Sequence, residues 1–92
     1  MKVINMELEQ NYHINVYVTY VKKEMNINGT NREAFLISIP EWKWSTEIGT
    51  SRFSQVYWYD NLKGNIQESL ERLVDVLSER LSKIDFKSMF IN

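Results

Sequence analysis

The chain has 92 residues, 43% hydrophobic and 25% charged, with a formal net charge of −1. That length supports one domain with a thin core, and a near-neutral charge gives no general pull toward phosphate backbones or anionic membranes. With no cysteine, disulfides, thiolate nucleophiles and cysteine-based zinc sites are excluded.

Met1 to Glu7 lacks the apolar run of a signal peptide, and no stretch approaches the roughly 18 apolar residues of a membrane span. The expectation is an intracellular, cytoplasmic protein. Three glycines and one proline argue against low complexity.

Val3 to Leu8 alternates, with Ile4, Met6 and Leu8 on one side, and predicts a short first strand or an ordered arm. Gln10-Asn11 interrupts it. His13 to Val21 predicts a stronger strand: Ile14, Val16, Val18 and Tyr20 face one way, Asn15, Tyr17, Thr19 and Val21 the other. Lys22 to Arg32 is polar and predicts a hairpin connection, with Asn28-Gly29 as its turn. Glu33 to Ile39 returns as a strand with Phe35, Ile37 and Ile39 on one side, and Pro40 stops it because it has no N–H for the ladder.

Glu41 to Ile48 predicts a further strand, with Trp42, Trp44, Thr46 and Ile48 on one face. Phe53 to Tyr59 is dense in aromatic and β-branched residues and predicts another. Val56 and Trp58 would then face one way, and Phe53, Tyr57 and Tyr59 the other. Asp60 to Gly64 is the turn that follows.

Ile66 to Ile84 predicts one amphipathic helix. Ile66, Leu70, Leu73, Val74, Leu77, Leu81 and Ile84 form its apolar stripe. Asn65 suits the N-cap, and Glu68 completes a capping box. Glu68–Arg72 and Glu79–Lys83 are ion pairs at four-residue spacing. Val76 is either a flank of a wide buried face or a small exposed apolar spot. The tail from Asp85 to Asn92 is apolar for a terminus. It is either a last strand or turn tucked onto the sheet, or a segment that a second chain covers.

The sum is a single α+β domain over residues 1–92, an antiparallel sheet of four or five strands packed on one long C-terminal helix. One face of such a sheet is left without a helix.

For chemistry, one histidine and no cysteine exclude a Cys–His pair and a multi-histidine metal site. The carboxylates are scattered, and no phosphate-cradling glycine loop, calcium loop or dinucleotide fingerprint is present. The expectation is no enzyme, no cofactor and no metal. Three Trp and five Tyr are more than a thin core needs, and these are the residues that anchor protein interfaces. Trp42, Trp44, Tyr57 and Tyr59 are therefore the expected partner-binding residues on an aromatic sheet surface. The bland alternative is that these rings fill the layer between sheet and helix. A second alternative is a single-strand nucleic-acid binder, in which the same rings stack bases beside Lys43 and Arg52.

Two resemblances add to this. Phe35-Leu36-Ile37-Ser38-Ile39-Pro40-Glu41, then Gly49-Thr50-Ser51, then Glu68-Ser69-Leu70 resembles the HicB-like antitoxin domain. In length, and in Ile39-Pro40-Glu41 followed by Trp44-Ser45, the chain is also similar to the small YueH-like proteins of Gram-positive bacteria. The match covers about half the chain. It departs from the HicB pattern in the aromatic insert from Arg52 to Gly64 and in having no DNA-binding extension. The resemblance implies a sheet-plus-helix module that holds another macromolecule. Its excess of Asn and Ile fits an AT-rich bacterial or phage gene.

The resulting expectation is a small intracellular, non-catalytic protein-binding module, inhibitor- or antitoxin-like, with a phage-type inhibitor of a host enzyme as a further form. Nucleic acid is the less favoured partner and no membrane is expected. Homodimerisation through the open face or the tail would relieve the thin core.

Overall fold

The structure is a computed structural model that describes residues 1–24, 31–64 and 68–90. The predicted Asn28-Gly29 turn, the Asn65 cap, Ile66 and the side chain of Glu68 lie outside the described residues.

Four strands form one antiparallel sheet in chain order: β1 (Lys2–Glu9), β2 (Tyr12–Glu24), β3 (Asn31–Ile39) and β4 (Trp44–Ile48). The three alternating patterns settle its register. Ile4 pairs with Val16 and Met6 with Ile14 across β1 and β2. Val18 pairs with Ile37, and Ile37 with Thr46, across the remaining strands. Apolar residues at period two thus line up across strands and present one continuous apolar face.

The β1–β2 turn is Gln10-Asn11, with Asn11 at φ 64°, a left-handed conformation that asparagine tolerates better than most residues. Just before it the register slips: Glu7 pairs with His13 but Glu9 with Tyr12. The extra residue forms a bulge. Both Leu8 and Glu9 consequently serve the helix side, Leu8 buried in the core and Glu9 bonded to Arg72.

Pro40 ends β3 as expected, but Glu41 to Ile48 is not one strand. Pro40–Trp42 is a turn of 3-10 helix, and β4 begins only at Trp44. Lys43 closes the turn at φ 51°, its N–H bonded to the Pro40 carbonyl at 3.0 Å. The proline at the first helical position starts the turn for the same reason that it stops the strand.

Phe53 to Tyr59 is not a strand. Gln55–Lys63 is a helix, α1. Ser54 caps it, its hydroxyl accepting from the Tyr57 N–H at 3.2 Å. Trp58 and Leu62, four residues apart, are its buried residues, whereas Val56 is 68% exposed. The strand expectation put Val56 and Trp58 on one face; the helix separates them by two residues, about 200° of rotation.

The single long C-terminal helix also resolves into pieces. Glu68–Leu73 is 3-10 and Val74–Ser82 is α-helical, here α2. The predicted stripe nonetheless holds: Leu73, Val74, Leu77 and Leu81 are buried, and Leu70 and Ile84 half-buried. Leu70 and Leu73 are three apart, the 3-10 repeat, so the tighter winding keeps both on the inner side. Val76 is half-buried against the core. Glu79 and Lys83 form the expected pair at 3.0 Å.

The tail takes the first of its two alternatives. Phe86–Phe90 is a 3-10 segment on the molecule's own core, with Phe86 buried and Phe90 stacked on Phe35 at 5.6 Å. Among the described residues the architecture is therefore α+β, with a four-stranded sheet and two short α-helices on one face. The opposite face, with Asn5, His13, Tyr17, Leu36, Ser45 and Glu47, carries no described helix. Among the described residues no helix is long and apolar enough to cross a membrane.

Candidate functional site

The four expected binding residues do not share a surface. Trp42 and Trp44 are 2% and 4% exposed and belong to the core. Each indole N–H is satisfied inside the fold. Trp42 Nε1 donates to the Tyr12 hydroxyl at 3.1 Å, and Trp44 Nε1 to the Asn61 carbonyl of α1 at 3.4 Å. Asn61 in turn donates its side-chain amide to Thr46 Oγ1 at 3.2 Å, so this cluster fastens α1 to β4. The expectation that Trp42 and Trp44 present their rings outward is thus corrected. Trp44 lies on the β4 face that the helices cover and Trp42 packs into the same core from the 3-10 turn, the outcome held open by the bland alternative.

Tyr57 and Tyr59 are half-buried on α1. Tyr57 stacks on Phe53 with centroids 4.2 Å apart and meets Trp58 edge-on at 5.6 Å. Tyr59 stands beside Lys63, whose ammonium lies 5.5 Å from the ring centre. Val56, Tyr59 and Lys63 follow one another at three- and four-residue spacing and make the outward stripe of α1. With Gln55, and with Asp75 of α2, Val56 and Tyr59 line a shallow groove of about 250 Å³. Sequence reasoning missed Val56 because it read the segment as a strand. Ser54 three residues before Tyr57, and the Trp58–Leu62 spacing, were the signals for a helix.

Of the basic residues named for nucleic acid, Arg52 is engaged within the fold. Its guanidinium donates to the Lys83 carbonyl at 2.8 Å, closing the C-terminal end of α2. On the open sheet face the side chains make a polar chain. His13 Nε2 lies 3.7 Å from Glu7, and His13 Nδ1 lies 3.1 Å from Asn5 Oδ1. Asn5 then donates to Asn15 Oδ1 at 3.0 Å. Among the described residues no group of three or more His, Cys, Asp or Glu is arranged to hold a metal ion.

A second concavity lies at the far end of the sheet, on the helix side. Tyr20, Glu33, Phe35, Thr50, Lys87 and Phe90 line about 370 Å³. The Tyr20 hydroxyl donates to Glu33 Oε1 across the β2–β3 pair. That bond, then desolvation, then the carboxylate's charge hold the Tyr20 phenol above its ordinary range.

The chain matches no family model, no curated protein and no solved structure.

Proposed function

We propose that this chain is a small intracellular, non-catalytic protein-binding module, inhibitor- or antitoxin-like, that meets its partner through the outward stripe of α1. The observation that carries the reading is Val56. A valine 68% exposed in the first turn of a helix, beside half-buried Tyr59 and a groove, is an apolar anchor placed where another chain can cover it. Tyr57 and Tyr59, from the expected aromatic set, contribute to the same region, whereas Trp44 holds α1 on the sheet and Trp42 is fastened to Tyr12 of β2. The sheet-plus-helix resemblance to HicB-like domains supports the same class of role. No observation favours the single-strand nucleic-acid reading, since two of its rings are in the core and Arg52 is bonded to Lys83.

The test is capture from the native host lysate by wild type, Val56→Asp and Tyr59→Ala, each with and without nuclease. The expected result is a nuclease-insensitive protein that wild type retains and Val56→Asp loses at least about tenfold, with unchanged circular dichroism. Equal retention by Val56→Asp overturns the α1 surface. A catch that nuclease removes overturns the protein-binding reading in favour of nucleic acid.

A further inference from the structure

The cleft at the hairpin end of the sheet is independent of the α1 stripe and has a different chemistry. Phe35, 1% exposed, backs it with its ring. Phe90 stacks on that ring at 25°, and Tyr20 meets it edge-on at 5.8 Å. Three aromatic rings from β2, β3 and the tail thus make an apolar wall. About 370 Å³ is within the range of small-molecule sites.

The rim carries one charge of each sign. Glu33 is held by the Tyr20 hydroxyl through Oε1, which leaves Oε2 available as an acceptor. Lys87, from the tail, lines the same cleft, yet it forms no ion pair with Glu33 or with any other described residue. Thr50 adds a hydroxyl.

We propose that this cleft binds a free α-amino acid with a large apolar side chain. Such a molecule carries an ammonium and a carboxylate on one carbon and an apolar body beside them. Its ammonium donates to Glu33 Oε2, its carboxylate accepts from Lys87 Nζ and the Thr50 hydroxyl, and its side chain lies against the accessible parts of Tyr20 and Phe90. The two charge-assisted contacts orient it, and the rings select for an apolar body. An amine alone would leave Lys87 facing a like charge, and a carboxylate alone would leave Glu33 so.

The experiment is a nuclear magnetic resonance titration of the full chain with L-phenylalanine, phenethylamine, hydrocinnamate and glycine. Glu33→Gln and Lys87→Met are run beside wild type, and both positions are exposed, so both variants keep the fold. The expected result is saturable shifts at Tyr20, Phe35 and Phe90 with L-phenylalanine. Binding should weaken at least about tenfold for either single-charge analogue, for glycine and for either variant. The proposal is overturned if L-phenylalanine gives no saturable shift at millimolar concentration. It is equally overturned if phenethylamine or hydrocinnamate binds as tightly as the amino acid, or if the variants bind as wild type does.

Discussion

Single side chains in this molecule do work that their type does not announce. Ser78 is fully buried on α2 and its hydroxyl has no hydrogen-bond partner among the described residues. A buried, unsatisfied hydroxyl costs about 1–3 kcal/mol. Ser78→Ala is therefore expected to leave stability unchanged or raise it, which urea unfolding would show; a loss above about 1 kcal/mol would sink the argument. Tyr20 makes a second case. Its phenol is held above the ordinary value of about 10 chiefly by donating to Glu33, so its contribution to stability is whole below that value. That contribution fades as pH rises through the folded-state pKa. An alkaline titration should place Tyr20 above about 10, and Glu33→Gln should bring its midpoint down. A midpoint indifferent to Glu33→Gln would remove the hydrogen bond as the cause. Glu79 shows the opposite sign: bonded to Lys83, its carboxyl sits below the usual range, so the pair's contribution is present above that range and is lost as pH falls through the lowered value.

Elements here are decided by their ends as much as by their interiors. The interior of α1, Val56-Tyr57-Trp58-Tyr59, has strand-favouring residues, yet the Ser54 cap and the Trp58–Leu62 spacing make it a helix once there is a core for that spacing to bury. The C-terminal end of α2 is closed from outside by Arg52, a residue of the loop before α1. Arg52→Ala should cost about 0.5–1.5 kcal/mol and lower the melting temperature by several degrees, while Arg52→Lys should recover part of it. If thermal unfolding of Arg52→Ala coincides with wild type, the cap contributes nothing. β1 shows the same logic in a strand. Its bulge near the turn spends one residue to aim Leu8 at the core and Glu9 at Arg72, where a plain ladder would have turned one of them to solvent.

At the scale of the whole molecule, one core is shared by all four strands, both helices and the tail. Trp58 is its largest fully buried side chain, and Trp42 and Trp44 close the sheet end and the β4 side. Small domains hold about 5–15 kcal/mol in all, and truncating a buried tryptophan costs about 3–5. Trp44→Ala should therefore remove much of the stability and the β4–α1 link together, read as loss of cooperative unfolding in urea. Val56→Asp should do neither. A folded, near-native Trp44→Ala would return Trp44 to the surface role that the sequence suggested.

Period-two alternation in β1, β2 and β3, the proline stop at Pro40 and the stripe from Leu70 to Ile84 were legible in the sequence by itself. Each is a local periodicity tied to burial on one side, and the fold uses all of them. Tertiary structure alone decided the rest. Whether Phe53 to Tyr59 is strand or helix depends on whether Trp58 finds a core at helical or at strand spacing, and residue preference cannot choose between the two. Whether Trp44 is core or surface depends on which sheet face the helices cover, because alternation groups residues by side without naming the side that is buried; Trp42 is carried into the core by the 3-10 turn after Pro40. The cleft of Tyr20, Glu33, Phe35, Thr50, Lys87 and Phe90 joins four separate stretches of chain. No local pattern links them; they meet because the tail folds back over the β2–β3 hairpin.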